Sequence, residues 1–203
     1  IMAKVKLTKT ALKQQRDDLK QFQRFLPTLQ LKKQQLQMEM RSCLERIRSN
    51  EVREKESKDS LSSWLVLFGA EADAMRVADT VRVERVETDT LNIAGVDVPR
   101  FKGVVFEKHG YDIYTEALWF DDAVAALKKI VELRMEREVI KKQYELIENE
   151  LRVTTQRVNL FEKVKIPECK ENIRTIQIYL GDMDTSAVAR SKIAKKKLQE
   201  TAA

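Results

Sequence analysis

Glycine and proline are scarce: the 203 residues hold 5 glycines and 3 prolines. So few breakers exclude a turn-rich sheet domain and favour long helices. Aromatics are 6% of the chain, and the basic C-terminal segment, residues 185–203, has none on which bases could stack. The two cysteines, Cys43 and Cys169, lie far apart at apolar-phase helical positions. They are expected to be buried, reduced and unpaired, in a cytoplasmic setting. The single histidine, His109 in "EKHGYD", has neither a cysteine nor a second histidine beside it for a metal site. It reads as a surface residue. No run of 18 apolar residues occurs, so no segment reads as a membrane-spanning helix, and no apolar signal core stands near the start. No phosphate-binding glycine loop and no Gly-x-Ser-x-Gly elbow is found. Asp121 and Asp122 sit where a helix begins and complement its dipole. A non-catalytic protein with no cofactor is expected.

Charge is abundant, at 34% of residues, and unevenly placed. Residues 1–16 carry +5 and residues 185–203 carry +4, whereas residues 17–184 carry −3. Two basic ends flank an acidic body. Nucleic acid, an acidic protein partner or plain solvation would each account for them.

The dominant pattern is a 3-4 spacing of apolar residues. From Leu12 it passes through Leu19, Phe22, Leu26, Leu29, Leu36, Met40, Cys43 and Ile47, then resumes at Leu61, Trp64 and Phe68. Asn50, Glu54 and Ser57 are polar interruptions. Thr8 or Thr10 can cap the start and Gly69 can end it. A second series runs Ile130, Leu133, Arg137, Ile140, Tyr144, Ile147, Leu151, Thr154, Val158, Phe161, and continues at Cys169, Ile173, Ile176, Leu180 and Met183. Such heptads predict two strands of a coiled coil. The step from Phe161 to Cys169 is eight residues instead of seven, and Pro167 sits inside that slip. Pro27 is the other proline in a helical stretch, so Pro27 and Pro167 are the expected helix bends. Aligning them gives an antiparallel pair in which Cys43 faces Leu151, both helices begin and end together, and the basic termini meet.

Between the helices the texture changes. "VRVERVET" (Val81–Thr88) alternates with period two, and "GVDVPRFKGVVFE" (Gly95–Glu107) is a second β-like run. "TDTLNIAG" between them is read as the turn, and a third short strand is allowed for. A short helix is expected around Glu71–Val77. Thr115 can cap a return helix from Glu116. The expected fold is mainly α: a long antiparallel two-helix coiled coil with a small β-hairpin head inserted between the helices. Its parts are an N-terminal helix (8–68), a head (69–115) and a C-terminal helix with a basic end (116–198). Since the seam lies outside the head, deleting the hairpin is expected to leave the helix pair intact.

Three non-catalytic functions fit this architecture: a shaft or tether in a larger assembly, a prefoldin-like chaperone arm, and a nucleic-acid-associated coiled coil. Particular residues favour the first. "RVNLFEKVKIP" (Arg157–Pro167) resembles a motif of the D subunit of the rotary V/A-type ATPases, an Arg-Val-Asn followed by Ile-Pro. "LQLKKQQL" (Leu29–Leu36), "NIAGVDVP" (Asn92–Pro99) and "SKIAKKKL" are similar to further stretches of that family. The chain departs at Leu7-Thr8, where the family has Pro-Thr, and at "GDMDTSAVARSK". These departures resemble a divergent bacterial branch.

The resemblance implies a central-stalk rotor shaft, itself non-catalytic, turning inside a ring of catalytic and non-catalytic subunits. It would transmit torque to a membrane ion-translocating ring. It implies a tip of Lys4, Lys6, Lys9, Lys13, Arg190, Lys192, Lys195, Lys196 and Lys197 against the catalytic ring. It also implies that the small stalk partner, the F subunit, docks at Asn50, Glu54 and Ser57, and that a funnel-like subunit meets the head end. No direct nucleic-acid contact is implied. The chain would be cytoplasmic and peripheral to the membrane only through the complex.

Overall fold

The computed structural model describes residues 6–62, 71–107 and 119–201. Lys4, Trp64, Phe68, Gly69, His109, Thr115 and Glu116 lie outside them. The order is α1 (Lys9–Ser62), α2 (Glu71–Thr80), β1 (Val83–Ile93), β2 (Val96–Phe106), α3 (Phe120–Leu160), a π turn (Phe161–Lys165) and α4 (Ile166–Thr201). The protein is mainly helical, with a long helix towards each end of the sequence and one antiparallel hairpin between. Neither α1 nor α3 contains a glycine. Thr8 does cap α1: its Oγ1 accepts from the Ala11 amide at 3.1 Å. Helix α1 runs unbroken through Pro27.

The chain packs as two units, one of residues up to Lys32 with those from Val153, the other Lys33–Arg152. In the first unit, Phe22 stacks on Phe161 with centroids 5.1 Å apart, and Val158, Cys169 and Ile176 are buried. In the second, Leu36, Cys43, Ile140 and Ile147 form a core with Val98 of β2. A smaller cluster joins Val77 of α2 to Phe120, Ala123 and Val124 of α3. Cys43 and Cys169 are both free and buried, in different units.

The eight-residue step has a direct structural cause. The Ile166 amide donates to the Phe161 carbonyl, an i to i−5 bond that widens one turn by one residue. That turn absorbs the extra residue, so Phe161 and Cys169 both keep to the seam. Pro167 stands two residues after the end of this turn, as the second residue of α4, and a π turn beside a proline is a common way for a helix to tolerate the ring.

Three expectations are corrected. The first is register. Gln15 bonds to Asn172 at 3.1 Å, where aligned prolines would set Asn172 against Phe22. In the other unit Glu54 meets Arg134 and Arg137, where it would have faced Ile140. The first is a displacement of one heptad, and the second one of three to six residues in the same direction. An apolar repeat looks the same after a seven-residue shift, so periodicity could not distinguish the two. The prolines are therefore not level: Phe22, before Pro27, already stacks on Phe161, before Pro167.

The second correction follows from the first. The helices do not end together, because α4 continues far beyond the level of Lys9. Residues 181–200 are exposed on every side. The third concerns the head. Thr88–Ile93 is not a turn but part of β1, paired with β2 from Thr88↔Phe101 to Ile93↔Val96. The turn is two residues, Ala94 and Gly95, with φ of 51° and 79°. Positive φ at both positions suits a tight hairpin, with Asn92 Oδ1 accepting the Gly95 amide at 3.1 Å. The described residues contain two strands and no third. The hairpin also packs against the helices. Val98 is wholly buried, and Ile93, Ala94 and Val96 pack on the same helical core. Burying Val98 stabilises by about 1.5–3 kcal/mol, so deleting the hairpin should expose part of the core that it covers.

Candidate functional site

Two features carry chemistry beyond packing. The first is a polar layer in the α1–α3 seam. Asn50 and Glu54 occupy seam positions, so the helix repeat turns both inward, and they are 2% and 4% exposed. Glu54 Oε1 accepts from Lys58 Nζ at 2.7 Å and from Arg134 Nε at 3.0 Å, while Oε2 accepts from Arg137. Asn50 Nδ2 donates to Glu136 Oε2 at 2.8 Å, and Arg53 lies 3.8 Å from the same oxygen. Three cations around one carboxylate hold Glu54 down to about 2 from 4.5: chiefly Lys58, then Arg134 and Arg137, against the opposing effect of burial. Further along the seam, Gln143 accepts from Arg46 at 3.1 Å and donates to the Pro99 carbonyl, tying the hairpin to α3. Ser57, half-buried, offers only its carbonyl, to the Ser60 hydroxyl at 2.8 Å. Glu54 and the Asn50 amide nitrogen are thus engaged within the chain, while the buried Asn50 Oδ1 has no hydrogen-bond partner among the described residues.

The second feature is the end of α4. Arg190, Lys192, Lys195, Lys196 and Lys197 are all exposed, with Lys196 3.8 Å from Glu200. Lys6, Lys9 and Lys13 are exposed too. The two basic sets do not meet: with Gln15 level with Asn172, Lys9 and Lys195 are about 25 Å apart along the axis at 1.5 Å per residue. Sequence reasoning overlooked the exposure of the apolar side chains around these lysines. Met183, Val188, Ile193 and Leu198 are 46%, 56%, 58% and 71% exposed. A signal was present: Leu180, Met183, Ala187 and Ala194 extend the seam spacing past the start of α1. The Glu54 network also had a signal, since Arg137 is a charged residue at a seam position, as Glu54 is.

Cys169 has its thiol pKa pushed up, first by burial and then by Asp18 and Glu168, so it resists ionisation. An open groove beside the hairpin is lined by Val86, Thr88, Pro99, Met135, Val139 and Leu146 with Glu138, Lys141, Lys142 and Glu145. Its charges are mixed, two acidic and two basic. Among the described residues no cluster of His, Cys, Asp and Glu could hold a metal, and no helix is long and apolar enough to cross a membrane.

The family described as the ATP synthase D subunit matches residues 11–196. The V-type ATP synthase D subunit of Borreliella burgdorferi is 43% identical over 197 residues, 97% of this chain and 96% of that one. The V-type ATP synthase D subunit of Chlamydia abortus is 33% identical over 198 residues, 98% of this chain and 95% of that one. That of Chlamydia trachomatis serovar L2 is 33% identical over 198 residues, 98% of each. Matched across nearly its whole length, with the widened turn and hairpin inside the matched span, the chain belongs to the ATP synthase D subunit family, and these relatives are subunits of V-type ATP synthases.

Proposed function

We propose that the chain is the central rotor shaft of a V-type ATPase, carrying torque between the catalytic ring and the membrane ion-translocating ring. It supplies no catalytic group. The observation that carries the reading is the lone end of α4, where exposed apolar side chains alternate with exposed lysines. A helix of about 20 residues with no other described residue packed over it is marginal in water, so it calls for a sleeve. The bore of a ring of catalytic and non-catalytic subunits supplies one. Apolar contact would seat the end, and Arg190, Lys192, Lys195, Lys196 and Lys197 would meet acidic or carbonyl-lined walls. Lys4, Lys6, Lys9 and Lys13 would form a separate basic collar. Asn50 and Glu54 hold the shape of the stretch on which the small stalk partner, the F subunit, docks, and exposed neighbours such as Val52, 57% exposed, make the contact. The funnel-like subunit meets the hairpin end, and the chain is held at the cytoplasmic face of the membrane through the complex.

The test is the triple change Lys195→Gln, Lys196→Gln and Lys197→Gln in the reconstituted complex. Each exposed pair contributes about 0.2–1 kcal/mol, so ring affinity should fall roughly 3- to 100-fold. The deficit should grow as salt is lowered, because screening weakens the wild-type attraction. The isolated chain should be no less stable. Normal assembly and turnover at every salt concentration, with loss of RNA or DNA retention on a filter, would replace the shaft by the nucleic-acid reading. The exposed apolar side chains are also what a chaperone arm would offer. Suppression of client aggregation by the free chain, with no binding to the ring, would support that reading instead.

A further inference from the structure

The apolar seam does not by itself choose how α1 and α3 are aligned. In the observed register Cys43 and Ile47 of α1 share one cluster with Ile140 and Tyr144 of α3. Sliding α3 by one heptad would bring Ile47 to Ile147 and Cys43 to Leu151. Apolar residues meet apolar residues in both cases, so burial changes little. The polar residues are not indifferent. After that slide Glu54 would face Ile140 and Asn50 would face Tyr144. A slide the other way would set Glu54 against Ala126 and Cys43 against Arg137. In either direction a carboxylate now 4% exposed would lose the paired geometry of Arg134 and Arg137. An unpaired charge in a seam is far costlier than an exchange of one apolar neighbour for another.

We infer that the layer formed by Asn50 and Glu54 of α1 with Arg134, Glu136 and Arg137 of α3 is a register lock, which selects one alignment of the helix pair from several that the apolar heptads tolerate. Its two halves match in both position and charge. Glu54 fits only where two arginines, spaced by three residues on α3, straddle it. Asn50 lies one turn earlier and donates to Glu136, which precedes Arg137. Polar residues at seam positions are the best-attested device for fixing alignment in coiled coils. This inference concerns the chain alone, so it stands or falls separately from the shaft reading.

Disulfide trapping in the full chain tests it. In a background with Cys43→Ala and Cys169→Ala, Leu44→Cys with Lys141→Cys reports the observed register. Leu44→Cys with Glu148→Cys reports the alignment one heptad away. All three positions are exposed. With the lock intact, only the first pair should cross-link on mild oxidation. Adding Asn50→Leu and Glu54→Leu keeps the seam apolar and should raise the second cross-link at least tenfold, with a matching fall in the first. If the second cross-link stays at its background level in a chain with undiminished helix content by circular dichroism, the hairpin core holds the register and the lock is refuted. Should the double Leu variant lose helix, Glu54→Gln alone decides. It preserves shape and removes the charge, and a rise of the second cross-link of at least threefold is expected. No rise overturns the proposal.

Discussion

Glu54→Ala should lower the unfolding free energy of the isolated chain by about 3–5 kcal/mol, the usual cost of removing one partner from a buried charge network. The substitution leaves Arg137, whose side chain is 19% exposed, facing an apolar seam with no counter-charge. Glu54→Leu should cost less than Glu54→Ala despite removing the same carboxylate, because it fills the seam. The pH dependence has a definite sign. The carboxyl titrates at about 2 in the folded chain, against 4.5 unperturbed. The unfolded state therefore binds the proton first as pH falls. The contribution of Glu54 is complete above pH 4.5 and is lost between there and about pH 2. Thermal melts followed by circular dichroism should show wild type losing stability across that window. Glu54→Gln, already lacking the charge, should show a flatter acid limb. Equal slopes for the two chains would mean that the arginines do not stabilise the ionised form.

Deleting Lys163 should have an effect opposite to that of deleting a residue elsewhere in these helices. A one-residue deletion in an ordinary helix turns everything beyond it by about 100° and takes the seam out of contact. Here the deletion removes the residue that the widened turn accommodates. The step from Phe161 to Cys169 becomes seven, and Cys169, Ile173 and Ile176 stay in phase. The cost that remains falls on Pro167, whose ring would then press on an ordinary α turn, at about 3 kcal/mol. The deletion combined with Pro167→Ala should recover most of that loss, whereas Pro167→Ala in the intact chain should change stability much less. Deleting Glu150, in the regular part of α3, should cost more than deleting Lys163, and no change at Pro167 should restore it. Denaturant titrations of these chains measure the coupling. Additive effects of the deletion and Pro167→Ala would show that the proline is not seated by the π turn.

Local chemistry was readable from sequence wherever it repeats or caps. The two heptad series, the Thr8 cap, the short helix at Glu71–Val77 and the eight-residue step all express side-chain spacing along one strand of chain. What could not be read depends on which residue meets which. A heptad is unchanged by a shift of seven, so the register, and with it the separation of the two lysine sets, was undetermined. Thr88–Ile93 looked like a turn because Thr, Asp and Asn are common there, but cross-strand pairing with Val96–Phe101 overrode local preference. The seating of Val98 among Leu36, Cys43, Ile140 and Ile147 was equally hidden, since one buried valine in a strand does not reveal what covers it.

The Gln15–Asn172 bond joins residues 157 positions apart in the chain. The hairpin, by contrast, closes through the two residues Ala94 and Gly95. Closing a loop costs entropy that grows with its length, so local contacts form before distant ones are rewarded. Hairpin first, then the core around Val98, then pairing of the remote segments is the order this topology favours. During synthesis the consequence is sharper. At about 5–20 residues per second, the start of α1 leaves the ribosome roughly 10–30 s before its partner segment exists. For that interval Leu12, Leu19 and Phe22 form half of a zipper, and the nearest complementary half belongs to another copy emerging from the same message.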